Sequence, residues 1–375
     1  MNRRTFFQTT ALGTAGFAVS ATLPNHVFAE TPKGVTTDNF EPNGRWTAEK
    51  ARAWEAAQPW IVGCNYVPTY AVNQLEMWQR ETFNAKIIDA ELALAAKTGM
   101  NTVRVFMHHL LWREQRDVFI ANVRTFLDLC EKHSLRVIWT FFTNGGKEPS
   151  VLGPQPAPKP FTHNSEWRQT PGKTEIMHKP ENWHQMEDYV TDMMTEFRND
   201  PRVLVWDLFN EPFNSGDRWH TLGFLRLLWT WARKVNPAAP LTSAVQRIEY
   251  TPIASFLLEN SDIVSFHSYE SKEVIEERLK IMREYRRPII CKEWLARGRK
   301  CTVFDILPLF KKYGVGAINW GLIPGKLQTH YPWGWNESKG EPKVWHHDLY
   351  HEDHTPYDPK EIELFLKLTQ ENNQR

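Results

Sequence analysis

Residues 59–368 repeat one pattern eight times, a short β-branched or aromatic run followed by a longer stretch with apolar residues at helical spacing. The expected strands are 59–65 (PWIVGCN), 102–107 (TVRVFM), 135–142 (LRVIWTFF), 203–209 (VLVWDLF), 241–245, 262–267 (DIVSFH), 288–293 (PIICKE) and 316–320 (GAINW). Helices are expected near 84–99, 117–133, 182–197, 217–235, 253–258, 272–285, 302–313 and 359–368. The strand runs are apolar on both faces, as parallel strands covered by helices on both sides must be. Eight such units predict an α/β fold, a (β/α)8 TIM barrel with long loops over its C-terminal face. An open doubly wound sheet would want a glycine-rich phosphate turn after the first strand, and Cys64-Asn65-Tyr66-Val67-Pro68 is not one.

The chain begins outside this pattern. Asn2-Arg3-Arg4-Thr5-Phe6-Phe7, the apolar stretch Ala11 to Ala21 and the small-residue site Val27-Phe28-Ala29 read as a twin-arginine-type signal peptide over residues 1–29. The apolar stretch is too short to span a bilayer. The expectation is therefore a periplasmic or secreted protein with no stable membrane insertion after cleavage; an uncleaved anchor is the alternative. Residues 30–58, helical over 45–57, are expected to cap the barrel, which occupies 59–375. Cys64, Cys130, Cys291 and Cys301 show no close-spaced pair and read as buried free thiols. A net charge of +1 indicates no nucleic-acid partner. Oligomeric state is left open.

The fourth strand stops on Asn210-Glu211-Pro212. A carboxylate at the end of a buried strand is costly unless the site uses it, and proline ends the ladder because it has no N–H to give. The alternative is a helix N-cap. In a β/α barrel the strand ends form the functional lip. There this chain places Asn65 and Tyr66, Arg104 with His108 and His109 just beyond, Asn210 and Glu211, His267 and Tyr269, Glu293 and Trp294, and Asn319 and Trp320. Two carboxylates in such a setting point to glycosidic bond cleavage, which needs one of them neutral and the other ionised. Arg104 is the candidate partner that would separate them by holding Glu293 charged, with a structural ion pair as the alternative. The 17 tryptophans, many placed in loops or at strand ends, offer flat faces suited to sugar rings. No cofactor or metal is expected; the histidines of 345–354 read as a solvated polar loop.

With Asn210-Glu211-Pro212, Glu293, Arg104, His267-Ser268-Tyr269 and Trp320 in this order on their strands, the chain resembles the clan A glycoside hydrolases, most closely the family 5 cellulase-like enzymes. The resemblance implies a retaining glycoside hydrolase acting on β-linked glucan-, mannan- or xylan-type carbohydrate. Glu211 would be its acid/base and Glu293 its nucleophile. Asn210 would bind the sugar 2-OH, Tyr269 and Arg104 would hold Glu293, and His267 would fix the acid/base side. Trp320 would floor the cleaved sugar. Asn65, His109 and Trp335 complete the expected substrate contacts. Family members usually carry a histidine at the end of strand three, which here ends Thr143-Asn144-Gly145; His163 and His184 are candidates to reach in. The proline- and glycine-rich loops 143–182 and 321–357 are expected to shape the mouth, closing a groove toward a pocket. A non-catalytic carbohydrate-binding barrel is the alternative function, and it would have no need of both glutamates.

Overall fold

The computed structural model describes residues 41, 43–215, 218–245 and 251–370. The expected signal-peptide segment 1–29 and residues 30–40 and 42 of the expected cap lie outside these. Nine parallel strand segments are present: β1 Val62–Asn65, β2 Thr102–Phe106, β3 Arg136–Thr143, β4 Val203–Asn210, β5 Leu241–Thr242, β6 Ala244–Val245, β7 Val264–His267, β8 Ile289–Glu293 and β9 Gly316–Trp320. They pair in the order β5-β4-β3-β2-β1-β9-β8-β7-β6, a nearly closed barrel. β5 and β6 are halves of the fifth expected strand, parted at Ser243, whose Oγ donates to Phe209 O at 2.5 Å and keeps the break tied to β4. The fold class expected from the sequence is the one observed.

The surrounding helices are α1 Ala48–Ala56, α2 Gln74–Trp78, α3 Ala85–Lys97, α4 His109–Lys132, α5 Gln185–Glu196, α6 Arg218–Val235, α7 Pro252–Asn260, α8 Lys272–Arg283, α9 Val303–Tyr313 and α10 Pro359–Gln370. Two depart from expectation. α2 is a short extra helix capped by Asn73. α4 starts at His109 rather than 117 and kinks at Gln115. Its N-cap is His108, whose Nδ1 accepts from Leu110 N at 3.2 Å, so none of the usual capping residues marked the start.

Ile61, Ile138, Val205, Ile263, Ile290 and Ile318 pack as one layer inside the barrel, at the N-terminal ends of the strands, with Trp54 of α1 against it. Above that layer the interior turns polar. The large aromatics go elsewhere: Trp78, Trp139, Trp206 and Trp294 are fully buried, and Trp78 and Trp139 meet Phe126 of α4 between sheet and helices. Most of the tryptophan content is therefore core, contrary to the platform reading; among the described residues only Trp333 is a strongly exposed tryptophan, at 44%. All four cysteines are free and buried. No helix among the described residues is long and apolar enough to cross a membrane.

Candidate active site

β4 hands its chain directly to Glu211, which takes a φ of +48°. That is the left-handed region, sparsely populated by residues with a Cβ, so the turn is held in place by its neighbours. Asn214 Nδ2 donates to Glu211 Oε2 at 2.5 Å, and His267 Nδ1 lies 2.8 Å from Oε1. Glu211 is largely buried, and that burial pushes its carboxyl up to about 7, against the smaller pull of Arg104 and Asn214. Burial also drives His267 down to about 3. The contact is thus a hydrogen bond to a neutral imidazole rather than an ion pair.

Glu293 closes β8. Its Oε1 accepts from Arg104 Nη1 and its Oε2 from Tyr269 OH, both at 2.8 Å. Two donors, one of them charged, stabilise negative charge on this carboxylate. Arg104 is fully buried and spends the rest of its fork on neighbours. Its Nε and Nη2 donate to Asp207 Oδ2 at 2.9 and 2.7 Å, its Nη1 to Asn65 Oδ1 at 2.7 Å, and its Nη2 to Asn210 Oδ1 at 2.6 Å. Asp207 in turn sits 2.5 Å from Lys292 Nζ through its other oxygen, with both side chains fully buried. Burial favours the neutral acid at Asp207, but Lys292 and Arg104 outweigh it and hold the carboxyl below the usual range. Burial brings Lys292 down to about 8, still protonated at neutral pH. Two cations, Arg104 and Lys292, therefore face two carboxylates, Asp207 beneath the site and Glu293 within it.

Lys292 and Glu293 are consecutive, yet both bond inside the barrel. The register between β7 and β8 explains this: Phe266 pairs with Cys291 and His267 with Glu293, so Lys292 is skipped. This irregularity breaks the alternation that would otherwise have sent one of the two outward.

The remaining expected residues fall into two groups. Asn210, His267, Tyr269 and Trp320 join the glutamates. Trp320 is buried against Phe106 and Trp167, with ring centroids 5.9 and 6.4 Å apart. Asn65 lies below, donating to Lys292 O at 2.7 Å and Asn319 O at 3.1 Å, so it anchors Arg104. His109 is buried and stacked on His108, with its Nδ1 2.9 Å from Thr170 Oγ1; it secures the base of the long loop after β3. Trp335 donates to Gly340 O within its own loop. It is Trp333 that stands against Tyr269, with centroids 4.8 Å apart. Neither His163 nor His184 fills the end of β3. Asn144 does, reaching Pro212 O at 3.3 Å, while His163 lies 2.9 Å from Tyr331 O and His184 caps its own turn. Only part of the 345–354 segment is the solvated loop expected: Glu352, Asp353 and His354 are exposed. His346, His347, Asp348, Leu349 and Tyr350 are buried, because Arg297 gathers the carbonyls of His347 and Asp348.

Glu211, His267 and Glu293 offer ligand atoms within 4.8 Å of one another, a group that could also hold a metal ion among the described residues. A cation there would displace the proton from Glu211. The family model for cellulase, glycosyl hydrolase family 5, matches residues 65–322. The chain belongs to glycosyl hydrolase family 5. It is accordingly a retaining O-glycosyl hydrolase. No curated protein sequence matches it significantly. Family 5 relatives appear among solved structures. GH5_18 from Streptomyces cattleya in complex with GlcNAc is 14% identical with a TM-score of 0.58, covering 85% of this chain and 82% of that one. An exo-β-1,4-mannosidase from Opitutaceae bacterium strain TAV5 is 18% identical with a TM-score of 0.57, covering 84% and 60%. An endo-β-1,4-mannanase from Thermotoga petrophila is 12% identical with a TM-score of 0.56, covering 86% and 78%. At these identities the likeness establishes a shared fold. Within the family 5 frame, Asp207 and Lys292 are the residues that sequence reasoning passed over. Asp207 and Lys292 carried one signal, a charge inside each of two otherwise apolar strands.

Proposed function

We propose that this protein cleaves β-linked glucan-, mannan- or xylan-type glycosides by double displacement, with Glu211 as acid/base and Glu293 as nucleophile. The observation that carries this is the carboxylate pair. Its oxygens approach within 4.8 Å, closer to the ~5–5.5 Å of retaining enzymes than to the ~6.5–9.5 Å that leaves room for an inverting water. A Glu293 oxygen attacks the anomeric carbon as Glu211 gives its proton to the departing oxygen. A water then attacks the same carbon, Glu211 takes its proton, and Glu293 leaves, restoring the β configuration. Asn210 suits the 2-OH: its Oδ1 is occupied by Arg104 and its Nδ2 lies toward Thr143 Oγ1 at 3.3 Å, which fixes the amide with an N–H to spare. A twin-arginine signal would place this activity in the periplasm or outside the cell.

β-Mannosides are the first sugar to test, given the mannosidase and mannanase among the structural relatives. The test is a panel of para-nitrophenyl β-mannoside, β-glucoside and β-xyloside, with the released sugar followed by proton NMR. The β-anomer is expected first; the α-anomer first would rule out double displacement.

The pH profile has a defined sign. Glu211 must be protonated to act as the acid, and its proton leaves at about 7. So kcat/KM is expected to fall as pH rises through that value. In Glu211→Ala the alkaline limb should disappear for a dinitrophenyl glycoside, whose leaving group needs no proton. A limb that persists there would belong to another group.

A further inference from the structure

One side of the barrel mouth is bordered by loops tied to one another. The loop after β3, residues 144–184, crosses above β2 and β1 to meet the loop after β9, residues 321–358. Asn164 N donates to Leu327 O at 2.8 Å, Phe161 N to Gln328 Oε1 at 3.1 Å, and Gln328 Nε2 to Lys159 O at 2.9 Å. His163 Nδ1 lies 2.9 Å from Tyr331 O. The loop after β1 is locked under both: Lys326 N donates to Thr69 O at 2.9 Å, Asn73 Nδ2 to Glu166 O at 3.1 Å, and Gln74 Nε2 to Arg168 O at 3.0 Å. Gly325, at φ +45°, lies where a Cβ would collide with the Thr69 backbone, so these two loops meet main chain to main chain. Beneath the crossing, Phe106, Trp167, Trp320 and Leu327 form a buried apolar cluster. A crossing with this many ties and its own core is part of the fold, not a loose flap.

The chemistry orients the substrate against this border. The oxygen that Glu211 protonates belongs to the leaving group, so the leaving group lies on the β4 side. The sugar that bonds to Glu293 lies on the opposite side, over β8 and β9, beside Trp320. Any sugar attached to its non-reducing end must point further from Glu211, toward β9, β1 and β2, where the loops cross. Trp333 carries this border on toward β7 and β8: it packs on Tyr269, which holds Glu293, and His163 of the crossing loop follows with its ring centroid 6.1 Å from that of Trp333.

We propose that the glycone side is a blind pocket for a single sugar, so that the enzyme removes one residue at a time from the non-reducing end. This rests on the hydrolase reading of Glu211 and Glu293. The two can be tested apart with the full-chain enzyme, using para-nitrophenyl β-monosides and the matching β-1,4-linked biosides of mannose, glucose and xylose. A blind pocket predicts that nitrophenol leaves one of the monosides at once. The bioside should first lose its terminal sugar, so that nitrophenol follows only after a lag. Direct release from a bioside without a lag would overturn the blind pocket and leave the hydrolase reading standing. Release from no monoside or bioside by folded protein would overturn the hydrolase reading, and this proposal with it. Weakening the crossing by removing side-chain ties and part of its core together, with His163→Ala, Gln328→Ala and Leu327→Ala, should raise direct release from the bioside roughly tenfold relative to wild type. An unchanged lag in that folded variant would overturn the role given to the crossing.

Discussion

Glu293→Ala is expected to abolish turnover, lowering kcat by about 10⁴-fold or more, as the loss of a covalent nucleophile does. Alanine leaves space where Glu293 accepted hydrogen bonds from Arg104 and Tyr269. A small anion can enter that space. With azide, a dinitrophenyl β-glycoside should therefore be cleaved again: azide attacks the anomeric carbon from the vacated face, the bond to the phenolate breaks, and the product is the α-glycosyl azide. The folded state is not expected to suffer, because Arg104 keeps Asp207, Asn65 and Asn210 as partners. The measurement is chromophore release with and without azide, alongside a urea melt. Turnover unchanged by the substitution would sink the nucleophile assignment. A β-glycosyl azide would show that another group still provides a first displacement.

The second large effect is expected on stability. Asp207→Ala removes the carboxylate that lies between Arg104 and Lys292, leaving Lys292 without the counter-charge 2.5 Å away. Stranding one member of a buried pair costs about 3–5 kcal/mol, far more than the pair itself contributes relative to apolar groups of the same size. The urea midpoint should drop accordingly. Asp207→Leu combined with Lys292→Met should recover most of that loss, since it strands no charge, though Arg104 would have lost two hydrogen bonds to Asp207 Oδ2 and catalysis should remain impaired. If Asp207→Ala melts with the wild type, the pair is not held as a buried ion pair.

These two experiments probe different parts of what could be read in advance. Glu293 was legible because it ends an apolar strand, where a carboxylate has no structural excuse, and because Asn210-Glu211 ends another. Arg104 was legible as a lone charge inside an otherwise apolar strand. Lys292 was not, for a physical reason: strict alternation puts neighbours on opposite faces, and only the shifted pairing of His267 with Glu293 brings Lys292 and Glu293 inside together. Asp207 was illegible for a related reason: nothing in the spacing along the chain sets it between Arg104 and Lys292. Trp335 and Trp333 sit two apart in one loop, and nothing in their spacing tells which turns toward Tyr269. The buried segment around His346 and His347 looked like solvent-facing polar sequence because its burial depends on Arg297, which comes from another loop far away in the chain.

The sequence by itself determined the barrel, since eight apolar runs separated by helical spacing must bury both faces of a parallel sheet. It also located Asn210, Glu211, His267, Tyr269, Glu293 and Trp320, because strand ends can be read off once strands are located, although Asn65 and His109 turned out to support the site from outside it. Tertiary structure decided how those side chains are charged and what surrounds them. The proton on Glu211 depends on burial, the charge balance below Glu293 on a register shift, and the closed glycone side on hydrogen bonds between loops that follow different strands. Each of these is a long-range property: it depends on which distant residues come within hydrogen-bonding distance, and spacing along the chain carries no record of that.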